Sequence, residues 1–183
     1  MLTIPMEDSM NKKVVLIIAS DGFQPKEYGN TKKILEDIGI EVVTVSDKMG
    51  QAVDAFGQEG PDVLLIVDQV KPEEYDGIFL IGGAGALKCL DKEGVYDLMR
   101  KARDMGLYYG AICISPRILC KAGIITSGQK ITGWNGDGKL KDECAQADVL
   151  LDKDVVVDGK LITSKDPETA TAFGKAIAKA LKS

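Results

Sequence analysis

The chain of 183 residues contains no histidine. That absence excludes the imidazole base of Cys–His and Ser–His catalysis, and it removes the residue that most often completes a mixed zinc site. Its four cysteines, Cys89, Cys113, Cys120 and Cys144, show no CxxC or other tight spacing. No metal site is therefore indicated, no cofactor is expected, and four reduced thiols in a cytoplasmic protein are the economical reading. Long apolar runs are missing too. None approaches the roughly 20 residues that cross a bilayer, which argues against a membrane partner. Lys and Arg are scattered and the net charge is −5, which argues against nucleic acid. The opening MLTIPMEDSMNKK lacks the basic-then-apolar order of a signal peptide. Residues 1–12 are expected to be a flexible tail and residues 13–183 one domain, without repeats or a low-complexity linker.

What is present is an alternation of strands and helices. Lys13–Ala19 is a continuous β-branched run of the kind that forms a central parallel strand covered on both faces. Pro25 opens a helix that ends at Gly39, with Ile34, Leu35 and Ile38 as its apolar face. Ile40–Ser46 is the next strand. Ala52–Phe56 and Val63–Val67, separated by Gly57, Gly60 and Pro61, suggest an antiparallel excursion. Gly77–Ile81 is a buried strand running into GGAGA, Gly94–Met105 an amphipathic helix and Leu107–Ile112 a further strand. Val155–Val157 and Leu161–Thr163 flank a hairpin signal at Asp158-Gly159, and Asp166 caps a last helix with Ala170, Phe173, Ile177 and Leu181 inward. This order predicts an α/β fold, a three-layer sandwich on a mostly parallel sheet. Ligands gather at the carboxyl ends of the strands in such sheets.

The stretch GAICISPR, Gly110 to Arg117, places a thiol where a buried strand turns into a helix with Pro116 just inside it. A cysteine in an apolar setting is commonly a small buried hydrophobe. At a strand-to-helix elbow it is instead presented at the top of the sheet, near helix N–H groups that favour thiolate. Ser115 stands where such an elbow usually carries glycine. Gly82 and Gly83 could contribute one amide, and Ile114 a second, to an oxyanion hole; a plain turn is the alternative. Glu27, one turn into the first helix, is either a solvated carboxylate or the partner of Cys113. Beside a thiolate its pKa would rise, and once protonated it could hydrogen-bond the sulfur. Arg117 either attracts an anion to the crevice or is an exposed helix arginine. Cys120, two helical turns beyond Cys113, is expected to pack against the sheet; Cys89 and Cys144 are expected to be structural or incidental.

Taken together, KPEEYDGIFLIGG (Lys71–Gly83), AICISP (Ala111–Pro116), VVVDGKLITSKDP (Val155–Pro167) and the terminal TAFGKAIAKAL helix resemble the PfpI-type intracellular protease family, within the wider DJ-one superfamily. The resemblance runs from about Lys13 to Leu181. It implies a flavodoxin-like sandwich with a nucleophile elbow, Cys113 as the family cysteine, Glu27 as the family glutamate, Gly83 and Ile114 as the pocket amides, and a homodimer or larger homo-oligomer. Where the PfpI-like branch carries histidine after the cysteine, this chain has Ile114. The second histidine position, that of the DJ-one branch, falls near Trp134 in TGWNG.

Without an imidazole, Cys–His proteolysis is the weakest of the family's chemistries here. A glyoxalase- or deglycase-like reaction needs only a thiol and an acid, Cys113 adding to a small carbonyl while Glu27 moves protons. The alternative is a non-enzymatic, redox-responsive protein in which Cys113 is oxidised to sulfinic acid and held by Glu27. A third is an inactive scaffold that keeps the fold and its oligomer interface.

Overall fold

A computed structural model describes residues 12–183. Of the tail expected over residues 1–12, only Lys12 falls within them. The elements run β1 (Lys13–Ile18), β2 (Asp21–Phe23), α1 (Pro25–Asp37), β3 (Glu41–Ser46), β4 (Gly50–Asp54), β5 (Glu59–Val63), β6 (Gly77–Leu80), α2 (Ala86–Cys89) and α3 (Glu93–Asp104). There follow β7 (Tyr108–Ile112), α4 (Pro116–Lys121), β8 (Lys130–Ile131), α5 (Leu140–Glu143), β9 (Asp148–Val149), β10 (Val155–Asp158), β11 (Leu161–Ser164) and α6 (Ala170–Lys182).

The main sheet has the order β10-β11-β7-β6-β1-β3, and only the β10–β11 pair is antiparallel. Consecutive residues of β1, Val14 through Ile18, are all buried. Successive side chains point to opposite faces, so both faces of the sheet are covered. Helices α1 and α6 pack together against β1, β3, β7 and β11, while α3 and α4 pack together against β6 and β7. The edge-to-face pair Phe79–Phe173 (5.9 Å, 89°) ties β6 to α6. Strand order reverses beside β1, because β3 lies on one side of it and β6 on the other. The crevice beyond β1, β6 and β7 is therefore where a ligand site belongs. No helix among the described residues is long and apolar enough to cross a membrane.

Two local readings shift. The second strand of the excursion is Glu59–Val63 rather than Val63–Val67, so Gly60 and Pro61 lie inside it. The Asp54 carboxylate accepts from the amides of Phe56 and Gln58 (2.8 and 2.9 Å) and makes a tight turn, which pairs Gly50 with Val63. Proline is tolerated because β5 is the edge of the small β2-β4-β5 sheet. Gly60 is needed because a Cβ there would sit 2.6 Å from the Phe23 ring. In the hairpin, Asp158 still pairs with Leu161, so the two-residue loop is Gly159-Lys160, one position later than expected.

The expectation of four reduced thiols does not hold. Cys120 of α4 and Cys144, just after α5, form a disulfide, while Cys89 and Cys113 are free. The spacing of 24 residues carries no sequence signal; the fold of the intervening residues 121–143 brings the two together. The premise of the cytoplasmic reading goes with it.

Asp166 caps the last helix through a 3-10 turn, its Oδ1 accepting from the amides of Glu168 (3.0 Å) and Thr169 (3.2 Å). Asp166→Ala is expected to lower stability by about 1 kcal/mol, read as a shift of the urea midpoint with an unchanged slope.

Candidate active site

Cys113 has φ +65°, the one non-glycine residue with positive φ among those described. Such a conformation costs energy for an L-residue and persists where surrounding structure enforces it. Here its amide donates to Ser164 O (2.9 Å) and its carbonyl accepts from the Trp134 amide (2.7 Å). The elbow is thus pinned from both sides. Ser115 adds a third hold, its buried Oγ donating to Ile81 O (2.8 Å). Ser115 is therefore a brace beneath the turn and does not line the cavity.

Glu27 is not a solvated carboxylate. It is 0 % exposed, carried inward by α1, and its Oε2 accepts from the Gly82 amide at 2.7 Å. Its Oε1 has no hydrogen-bond partner among the described residues. The Cys113 thiol lies close enough for the two groups to shift one another's protonation. Gly82 makes this approach possible, because a Cβ there would lie 2.7 Å from both Cys113 Cβ and Glu27 Oε2. Its amide is spent on the carboxylate and is not a free donor to the crevice.

Burial raises the Glu27 pKa from 4.5 to about 7, against the pull of the thiol and the Gly82 amide and with a further push from Asp166. Burial also raises the Cys113 pKa, with Glu27 adding to the rise, while the Ile114 amide acts the other way. This reverses the expected thiolate. At the elbow, desolvation and a neighbouring carboxylate outweigh backbone dipoles and favour the thiol over the thiolate.

Both groups open onto a cavity of about 420 Å³. Gly83, Ala84 and Ile114 line it near the sulfur, and Gln24 and Pro167 border it. The amides of Gly83 and Ile114 donate to no backbone acceptor among the described residues, and that of Ile114 faces the Cys113 sulfur. Gly83 has φ +125°, and a Cβ there would lie 2.7 Å from Phe23 C, so glycine is required. Trp134, which the resemblance set near the second histidine position, forms one wall. Ala55 and Phe56, from the turn between β4 and β5, form another that the sequence did not single out. The exposed aromatic Phe56 beside Gly57 was the available signal.

Arg117 falls under neither reading made for it. It is 1 % exposed, ion-paired to Asp137 (Nη1 to Oδ2, 2.9 Å) and Glu143 (3.6 Å), with its guanidinium 5.6 Å from the Trp134 ring centroid. These pairs hold Asp137 at about 2 and keep Arg117 charged. Arg117 does not line the cavity. Cys89 is buried, its sulfur donating to Asp21 O (3.6 Å).

The model of the DJ-1/PfpI family matches residues 12–180. Over 169 residues the chain is 31% identical to a deglycase of Pyrococcus abyssi, covering 92% of this chain and 99% of that one. It is 32% identical over 175 residues to protein dj-1beta of Drosophila melanogaster, covering 92% and 89%. The crystal structure of Drosophila melanogaster DJ-1beta superposes with a TM-score of 0.84 at 28% identity, covering 94% of this chain and 91% of that one. A strained cysteine at the end of β7, a buried glutamate from α1 and a sheet of this order thus accompany a match over almost the whole described chain, which belongs to the DJ-1/PfpI family.

Proposed function

We propose that the protein is a deglycase- or glyoxalase-like enzyme that acts on reactive carbonyl compounds through Cys113 and Glu27. The observation that carries this reading is a fully buried carboxyl, its pKa raised to about 7, held against the elbow thiol. Such a carboxyl accepts and returns a proton near neutrality, the work an imidazole would do elsewhere.

With a 2-oxoaldehyde the sulfur adds to the aldehyde carbon, and the thiol proton passes through Glu27 to the new alkoxide, giving a hemithioacetal. The amides of Gly83 and Ile114 stabilise the developing charge on that oxygen. Glu27, ionised again, takes the C–H proton of the adduct carbon and delivers it to the neighbouring carbon. The hydroxyl proton moves to the neighbouring oxygen. One carbon is oxidised and its neighbour reduced, leaving a thioester of a 2-hydroxy acid. Water cleaves it to the acid and restores the thiol. No external oxidant or reductant is needed.

A redox-responsive role would use the same sulfur, but the upward shift of its pKa works against it, since peroxide oxidises the thiolate. Self-association as a homodimer or larger homo-oligomer belongs to the proposal. It draws support from Phe56 (70 % exposed) and Leu64 (78 % exposed), two large apolar side chains beside β4 and β5.

The test is enzymatic detection of lactate from methylglyoxal, with free cysteine at equal thiol concentration as the control. Lactate well above that control is expected; a rate equal to it overturns the reading.

A further inference from the structure

Most of the cavity around Cys113 is apolar. Trp134, Phe56, Ile114, Ala55 and Ala84 line it, and apart from backbone amides and the indole N–H its polar groups are the side chains of Gln24, Glu27 and Cys113. Gln24 is engaged locally, its Oε1 capping α1 through the Lys26 amide (3.0 Å). No lysine or arginine lines the cavity. The nearby cations are committed elsewhere: Arg117 to Asp137 and Glu143, and Lys26 Nζ to Glu168 at 2.6 Å. Asp166 and Glu27 make the surroundings negative, so an anionic substrate would meet repulsion without a compensating cationic side chain.

The volume points the same way. A three-carbon dicarbonyl fills only a small part of 420 Å³ and leaves the aromatic wall untouched. Trp134 is held in place by the hydrogen bond that its backbone N–H donates to the elbow carbonyl and by the buried Arg117 packed against its ring. A fixed, flat, apolar surface beside the sulfur is a recognition element for the substrate's remainder.

We infer that the substrate is a neutral carbonyl compound bearing a bulky apolar group, and that Trp134, positioned by Arg117, is the residue that selects it. This inference rests on the carbonyl-directed function proposed above, but its binding component can be measured without turnover.

Trp134 is the only tryptophan in the chain, so its emission reports on this cavity alone. The Cys113→Ala protein is titrated with cyclohexyl methyl ketone, acetone and cyclohexanecarboxylate at neutral pH. The ring ketone is expected to shift the emission saturably, with a Kd at least ~10-fold below that of acetone or the isosteric anion. Indistinguishable binding of the three, or tighter binding of the anion, overturns the inference. In the active protein, kcat/KM for cyclohexylglyoxal is expected to exceed that for methylglyoxal by ~10-fold. Trp134→Phe should keep most of this preference and Trp134→Ala should lose it, with circular dichroism confirming that both fold. Loss of the preference in neither variant overturns the role of Trp134. If the ring ketone binds selectively but neither glyoxal turns over beyond the cysteine control, the functional proposal fails and the pocket assignment stands. If both glyoxals turn over equally and the ketone does not bind selectively, the reverse holds.

Discussion

Glu27→Gln is expected to lower kcat/KM for carbonyl turnover by about 10²- to 10⁴-fold while making the folded protein more stable above neutral pH. The two effects share one cause. Glu27 is fully buried with a single backbone donor, the Gly82 amide, on Oε2 and none on Oε1. Its pKa is therefore raised from 4.5 to about 7 on folding. A group shifted upward gives its full stabilisation below its unfolded value and loses it as pH rises through the folded one. The wild-type protein should thus lose roughly 3 kcal/mol, relative to the glutamine variant, between about pH 4.5 and pH 7. Glutamine keeps an oxygen acceptor for Gly82 and carries no charge, so its stability profile should be flatter across that window. Urea midpoints measured at several pH values read this directly. Parallel profiles for the two proteins would show that burial does not perturb Glu27 in solution.

Turnover should move the opposite way. The wild-type rate should rise with pH through an apparent pKa of about 7, as Glu27 becomes able to accept the thiol proton. In Glu27→Gln that limb should vanish, leaving a low rate that climbs only as the Cys113 thiol ionises to solvent. A variant that retained the limb would assign it to another group.

Removing the disulfide is expected to have the other large effect. The double variant Cys120→Ala/Cys144→Ala should lose about 3 kcal/mol of stability, because the bond closes a loop of 24-residue separation. For a domain of this size that is a fall in Tm of roughly 6–12 °C. The closed loop contains Trp134, Asp137 and Glu143, so the bond also tethers one wall of the cavity and both carboxylates that hold Arg117. Reduction should accordingly shift Trp134 emission as well as Tm. Titration of four thiols in denaturant without reductant would show the bond absent in solution; two are expected, from Cys89 and Cys113.

Elements with strong local signals were legible in the residues themselves. The β-branched run of β1, the Pro25 helix start, the Asp166 cap and the Phe173–Ile177–Leu181 stripe each follow from short-range chemistry and appear where expected. Element ends moved where a turn set the register, by four residues for the strand after Asp54 and by one at Gly159. The elbow at Cys113 was readable because a buried strand abutting a proline-started helix leaves few backbone paths between them.

From the chain alone one could know that no imidazole serves this site, that one thiol sits at a strand-to-helix corner, and that the start of the first helix and Gly82–Gly83 share a sheet end with it. Only the folded molecule decided that the carboxyl is buried, that the sulfur sits in surroundings that favour the thiol, that Arg117 is turned away from the cavity, and that Cys120 meets Cys144. The reason is physical: protonation and ion pairing depend on what surrounds a group in three dimensions, and neither desolvation nor a contact between distant residues is encoded in local sequence.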